Sequence, residues 1–422
     1  MRIYKFGGAS VKDANGVRNV AQIVHKADQP LVIVVSAMGK TTNALEALLQ
    51  AYMDRDRIVM EQHFNQLKQY HQTIIADLMG EDCPYQPFFD ALMTSLHNRL
   101  MQDPSLNYDF EYDQIVCYGE LLSTSIVSGY LNSAAIANHW VDARHCLKTN
   151  DIYRDAGIDW PLTTRFVKET FLNPNHSIYL TQGFIGSTIN NLSTTLGREG
   201  SDYTAAILGH ILDAQDVTIW KDVPGVLSSD PRWYPKATLL SEISYWEAIE
   251  LTYYGAQVIH PKTLKPLQNK KIPLRVKSFV DPSLPGTVIH QVTNPQTLQP
   301  IIIRKENQVF ISISPRDFSF IMEDNLSDIF SVFSRLRIKV NLMQNSALNF
   351  SVCIDKTRVL GDLIAALSDK YNVTCNEDLE LINIRHYNQQ TIDEVIAGKE
   401  IVDTQITCKT ARYVLKVSEW KF

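Results

Sequence analysis

The sequence predicts an α/β sandwich followed by a smaller α+β region, and three observations carry that reading. Short apolar runs alternate with helical periodicity through the first 290 residues, the pattern of a sheet with helices on its faces. Several runs, such as Leu31–Val35 (LVIVV), are apolar throughout rather than alternating, as strands buried on both sides of a parallel sheet require. Near Asp281–Gly286 (DPSLPG) and Asn294–Pro300, proline, glycine and asparagine cluster as in a linker, and the order beyond them becomes βαββαβ.

Taken along the chain, strands are expected at Ile3–Phe6, Leu31–Val35, Ile178–Leu180, Val217–Trp220 and Pro273–Val276. Helices are expected at Asn15–Ala27, Ser201–Leu212 and Ser244–Tyr253, with a helical insertion from Asn43 to Leu78 continued by Phe88–Met101. After the linker come strand Gln308–Ser314, helix Leu326–Leu336, and strands Lys339–Met343 and Phe350–Ile354. Helix Leu360–Tyr371 and strands Leu381–Ile384 and Arg412–Lys416 complete the region. This second region holds 15 basic and 16 acidic side chains over residues 301–422, so it is not a charged tail.

Length and composition narrow the function. The 422 residues suggest two or three domains, at about 150 residues each. A net charge of −6 gives no basic excess to meet a phosphate backbone, so nucleic-acid binding is not expected. The apolar runs fall far short of the roughly 20 residues of a membrane span, and MRIYKFGGAS lacks the apolar core of a secretory signal. A cytoplasmic enzyme is the expectation. Six cysteines, none in a CxxC pair, support neither a zinc site nor a disulfide scaffold and read as buried free thiols.

Four loops of small and charged residues follow predicted strands. Lys5-Phe6-Gly7-Gly8-Ala9-Ser10 offers backbone amides and a cation to an anion, although a plain turn would look the same. Ser36-Ala37-Met38-Gly39-Lys40-Thr41-Thr42 contains GKT, but a Walker A loop needs glycine at position 34, which is valine; the loop is expected to face the first one. No GxGxxG occurs. Leu196–Asp202 opens a helix that Gly200 or Ser201 could cap, with Arg198 free for a carboxylate or phosphate or else paired with Asp202. Lys221–Val226 and Ser229–Arg232 mark a sheet's carboxyl edge, where open α/β folds bind ligands.

These loops resemble, in order and spacing, the aspartate kinase family. The matching segments are KFGGASV (5–11), SAMGKTTNAL (36–45), YGELLST (118–124), TQGFIG (181–186), LGREGSDYTAA (196–206), DVPGVLSSDPR (222–232) and YGAQVIHPKT (254–263). The resemblance implies a three-layer αβα amino-acid-kinase domain over residues 1–290, with a helical insertion at about 43–110. Tandem or intertwined ACT-like modules would occupy 300–422. It implies transfer of the ATP γ-phosphoryl group to the β-carboxylate of L-aspartate, the first step toward lysine, threonine and methionine, with Mg²⁺ on the ATP phosphates. Because a carboxylate is already ionised at neutral pH, the reaction needs positioning and cations rather than a general base. That suits a chain with no evident Ser/His/Asp or Cys/His set.

By the same resemblance Lys5 and Asp202 are catalytic. Ser36, Thr42, Glu120, Phe184, Arg198, Gly200 and Ser201 bind substrate, Glu120 taking the α-ammonium and Arg198 a carboxylate. Gly7, Gly8, Gly39, Lys221, Asp222, Leu227, Arg232, Gln257 and Val258 lie on the nucleotide side, and His260 is structural. A homodimer through the ACT-like region is implied, with an amino-acid effector near Met322, Asn341 and Ser346. Departures from the family are Ala9 for Thr or Ser, Glu199 for Gly, Lys221 for Thr, Leu227 for Tyr and Gln257 for Lys. Lys221 offers a cation where Gln257 has none. Asn341 and Ala347 replace a common Asp and Glu, so inhibition by lysine is expected to be weak or absent. A glutamate-type kinase and a non-catalytic amino-acid sensor are the alternatives; a fused homoserine dehydrogenase is not expected without a dinucleotide fingerprint.

Overall fold

The computed structural model describes residues 1–80, 83–256, 259–292, 299–317 and 319–417. They form two units: Met1–Val226 with Leu239–Ile249 and Val258–Thr293, and Leu227–Thr238 with Glu250–Gln257 and Asn294–Phe422.

The first unit is built on β1 (Arg2–Phe6), β2 (Leu31–Val35), β3 (His139–Val141), β4 (Ile178–Gln182), β7 (Val217–Lys221), β8 (Glu242–Ser244), β9 (Leu274–Ser278) and β10 (Thr287–His290). Their order is β3-β4-β2-β1-β7-β9-β10-β8, parallel from β3 to β9, with β10 antiparallel to β9. Every residue of β2 and β4 is buried, as apolar runs without alternation require. A small hairpin, β5 (Ile185–Ser187) with β6 (Ser193–Thr195), stands apart from the sheet.

Helices α1 (Ala14–His25), α2 (Thr41–Met53), α3 (Arg57–Met79), α4 (Gln86–Leu100), α5 (Tyr108–Val116) and α6 (Tyr118–Ser133) share one core with Tyr4, Phe6, Leu31, Ile33 and Val35. Short α7 (Ala143–Cys146) and α8 (Trp160–Phe171) follow. On the opposite face α9 (Gly200–Ile211) packs so closely that a Cβ at Gly209 would come 2.6 Å from the Val217 side chain. α11 (Pro261–Lys270) packs against it, and α10 (Tyr245–Tyr254) precedes α11 in the chain. The layers are therefore α/β/α.

The second unit holds one six-stranded antiparallel sheet, ordered β12-β13-β11-β14-β16-β15. Its strands are β11 (Ile301–Pro315), β12 (Val340–Asn345), β13 (Phe350–Asp355), β14 (Tyr371–Arg385), β15 (Ile401–Ile406) and β16 (Thr410–Lys416). Helices α12 (Glu323–Arg335) and α13 (Leu360–Ser368) complete the expected βαββαβ order from β11 to β14, and α14 (Gln389–Ile396) follows. β11 and β14 are 15 residues each, and bulges between Lys305 and Phe310 divide their pairing. One half of each strand serves an α12/α13 module with its own core, the other an α14 module. Between the halves Phe310, Leu342 and Cys353 pack on Leu379, Leu381 and Val414. The modules are thus intertwined through shared strands.

Several expectations are corrected. The helical stretch from Asn43 to Leu78 is two helices, α2 and α3, which part at Asp54–Asp56, where Arg55 has φ of +58° and Asp56 caps α3. DPSLPG is no linker but the turn joining antiparallel β9 and β10; residues 294–298 of the second candidate lie outside the described residues. Tyr371 begins β14 rather than ending a helix. Four cysteines are buried, whereas Cys375 is half-buried and Cys408 exposed.

Candidate active site

Because β4, β2, β1 and β7 are parallel neighbours, their carboxyl ends open on the same edge of the sheet. The loops leaving them, with the first turns of α2, α6 and α9, enclose a cavity of about 590 Å³.

Lys5, one residue before the end of β1, is buried at 9% exposure, and its Nζ lies 2.7 Å from Asp202 Oδ1 in the first turn of α9. Lys221, the last residue of β7, reaches the other oxygen, Asp202 Oδ2, at 3.9 Å. The two glycine loops do face each other: Gly39 N donates to Gly8 O at 3.0 Å. A Cβ at Gly8 would come 2.6 Å from the Ala37 carbonyl, and Gly39 has φ of +54°, so both positions require glycine.

Glu120, in the first turn of α6, is only 3% exposed. Its Oε1 accepts from Ala37 N at 3.4 Å, while Oε2, also buried, has no hydrogen-bond partner among the described residues. Burial pushes its carboxyl up to about 8, against the opposing pull of the Ala37 amide and Lys5. A buried carboxylate with an open oxygen on a cavity is a site for a cation.

Ser36, Thr42, Phe184, Gly200 and Ser201 line the same cavity, as do Gly7, Gly8, Gly39, Arg198 and Asp222. Arg198 is exposed and forms no ion pair with Asp202, whose carboxylate is held by the lysines. The cap of α9 is neither Gly200 nor Ser201 but Glu199, at φ of +54°. That left-handed backbone favours glycine; the Glu199 carboxylate instead accepts from His260 N at 2.8 Å. His260 caps α11 by accepting from Lys262 N, a structural role.

Not all expected residues gather there. Leu227 and Arg232 belong to the second unit, and Arg232 is clamped by both oxygens of Asp230 at 3.0 Å. Gln257 and Val258 lie outside the described residues. Of the effector candidates, exposed Met322 and Ser346 lie on two loops joined by the Ile321 N–Ala347 O bond of 2.9 Å. Asn341 is buried, its Oδ1 accepting from Lys305 Nζ at 2.8 Å and its Nδ2 donating to Gln308 and Asp355 at 2.9 Å.

Three cavity residues escaped the sequence reading: Tyr112, Arg154 and Trp220. Arg154 has φ of +68°, donates its backbone N–H to buried Asp113, and lies 4.6 Å over the Tyr112 ring. Asp113, lifted to about 6 by burial, also holds β6 through Thr195. Only the positive φ leaves a sequence trace, and arginine is not a residue that advertises one.

Comparison with known proteins agrees with this geometry. The amino acid kinase family matches residues 1–278. The lysine-sensitive aspartokinase 3 of Escherichia coli is 31% identical over 361 residues, covering 84% of this chain and 78% of its own. A crystal structure of E. coli aspartokinase III with lysine and aspartate superposes with a TM-score of 0.83 at 27% identity, covering 99% of this chain and 96% of the other. The same enzyme with aspartate and ADP gives 0.80 at 26%, with the same coverage. By sequence and by fold, the chain belongs to the amino acid kinase family and, within it, to the aspartokinases.

Proposed function

We propose that this aspartate kinase binds L-aspartate and ATP together in the cavity and transfers the γ-phosphoryl group to the aspartate β-carboxylate. One observation carries the reading: a buried carboxylate with an open oxygen, Glu120, shares the cavity with the cationic Lys5–Asp202–Lys221 group. The first suits an ammonium and the second a transferring phosphoryl group.

A β-carboxylate oxygen attacks the γ-phosphorus, the bond to the β–γ bridging oxygen breaks, and its electrons leave on ADP. No proton moves. Lys5 stabilises charge on the transferring group, Asp202 fixes that ammonium, the Gly7 and Gly8 backbone adds donors, and Gly39, whose N–H is spent on the Gly8 carbonyl, holds the two turns together. Glu120 holds the α-ammonium, which draws its proton off as substrate binds. Arg198 takes a carboxylate, and Ser36, Thr42, Phe184, Gly200 and Ser201 shape the pocket. Lys221 and Asp222 face the nucleotide; Leu227, Arg232, Gln257 and Val258 are assigned to it by resemblance.

The donor set suits a Mg²⁺ ion that arrives on ATP. Among the described residues no three His, Cys, Asp or Glu side chains form a metal cage, Asp202 and Glu199 are engaged, and Asp222 is the exposed carboxylate on the cavity wall. The ion would ride on the phosphates beside Asp222 and neutralise their charge.

The second unit is proposed to form the homodimer contact and to give little response to lysine, because Asn341 is already occupied by the chain's own Lys305. Membrane attachment by a helix is not part of the proposal: among the described residues no helix is long and apolar enough to cross a bilayer. The function is tested by trapping the acyl phosphate with hydroxylamine in an ATP/Mg²⁺ assay offering aspartate, glutamate and acetylglutamate. Hydroxamate should form with aspartate; formation only with another acceptor would overturn the assignment.

A further inference from the structure

We infer that Arg154 is a second acceptor-binding cation beside Arg198, taking the α-carboxylate of the amino acid whose ammonium Glu120 holds, and that Asp109 competes with the acceptor for it. The inference rests on the proposed binding of aspartate and adds to it a residue that none of the matching loops contains.

The backbone at Arg154 suits a different residue. Its φ of +68° lies in the left-handed region, where glycine is at ease and arginine is strained. The turn does not depend on the side chain. Arg154 N donates to buried Asp113 at 3.1 Å, Ala156 N to Thr195 O at 2.9 Å, and Gly157 N to Asn150 Oδ1 at 2.9 Å. An arginine at a strained position that backbone bonds already fix points to a use for its guanidinium.

That guanidinium lies 4.6 Å over the ring of Tyr112, whose hydroxyl donates to Glu46 at 3.0 Å and so keeps the ring in place. Tyr112, Arg154 and Glu120 line the same cavity. Burial first, and then the charges of Glu46 and Glu120, hold the proton on the Tyr112 hydroxyl, which puts this ring beside the ammonium-binding carboxylate. A Cβ at Gly197 would come 3.2 Å from the Arg154 carbonyl oxygen, so the turn also abuts the loop that carries Arg198. An amino acid bears its ammonium and its α-carboxylate on one carbon. A cation stacked on the ring next to Glu120 is therefore placed for the second of these groups.

The present partner of Arg154 is one that a substrate can replace. Asp109 Oδ1 accepts from Arg154 Nη1 at 3.1 Å, but the two side chains are 55% and 48% exposed, and so exposed an ion pair is weak. An α-carboxylate that meets the planar guanidinium with two hydrogen bonds is the stronger partner. Exchanging one carboxylate for another keeps the charge of Arg154 balanced, and the Tyr112 ring keeps its orientation.

The test compares aspartate with its α-amide, which retains the ammonium and the β-carboxylate but has no α-carboxylate. Calorimetric titration reads the binding of each. Arg154→Gly suits the backbone and should melt no lower than wild type. Its Kd for aspartate should rise about 30-fold, the scale of a charge-assisted contact, while its Kd for the α-amide stays within about 2-fold of wild type. Asp109→Asn should act in the opposite sense and lower Kd for aspartate about 3-fold, because a competing carboxylate is gone. A purely structural role for the pair would move both variants the same way. Equal loss on aspartate and the α-amide, a rise of less than about 3-fold for aspartate in Arg154→Gly, or no fall in Asp109→Asn would overturn the inference. Should Arg154→Gly fail to fold, Arg154→Asn, which also tolerates a left-handed backbone, carries the same test. A wild type that binds no aspartate overturns this inference together with the acceptor assignment. One that forms hydroxamate from aspartate but lacks the binding differences overturns this inference alone.

Discussion

Two buried polar side chains, one in each unit, have opposite fates. Glu120 in the first unit keeps one oxygen unpartnered at a cavity, and burial drives its carboxyl up to about 8. Asn341 in the second unit is equally hidden, yet both amide hydrogens and its oxygen are used within the protein. Leaving a buried group unsatisfied costs stability, and proteins tolerate it where a ligand completes the bonding. The contrast teaches where this chain waits for a charged molecule and where it has supplied its own partner, Lys305.

The largest effect should come from the cation the open site needs. Lys5→Ala should lower kcat by about 1,000-fold or more, since Asp202 would then stand beside the phosphoryl group with its closest cation gone. A steady-state rate within tenfold of wild type would show that the transfer does not depend on the Lys5 ammonium.

Next in size is Glu120 itself. Glu120→Gln should raise KM for aspartate about 100-fold while changing KM for ATP little, because only the amino acid brings an ammonium. The same variant should be more stable than wild type when empty. The Glu120 carboxyl is raised from about 4.5 to about 8 on folding, so its contribution is complete below pH 4.5 and lost as pH rises through 8. Melting curves should therefore show the variant's advantage widening from pH 5 to 8 and then levelling off. A constant gap would contradict the assignment of that proton.

Much of this site was legible in the sequence because its loops carry residues with few structural alternatives. The paired glycines at 7 and 8 and the glycine at 39 announce backbones that must approach closely, and the structure shows both demands. The shared strands of the second unit were not legible. A strand of 15 residues that changes partners at a bulge reads locally as two short pieces, so only Gln308–Ser314 and Leu381–Ile384 stood out. Arg154 was missed for a related reason: its place on the cavity depends on Asp113, 41 residues earlier, which no local pattern reveals.

The smallest expected effect is in the second unit. With Asn341 committed to Lys305, Gln308 and Asp355, lysine at sub-millimolar concentration should change the rate by less than about 20%, since an ion pair of useful strength needs an available charged partner. Clear saturable inhibition in that range would show that the occupied amide can be displaced.

Glu120 waits protonated for an ammonium. Titration calorimetry of aspartate in buffers of different ionisation enthalpy reads the protons exchanged on binding. With a carboxyl near pKa 8, wild type at pH 7 should release about 0.9 proton, and Glu120→Gln about none. No release from wild type, or the same release from both proteins, would show that Glu120 holds no proton for the ammonium to displace.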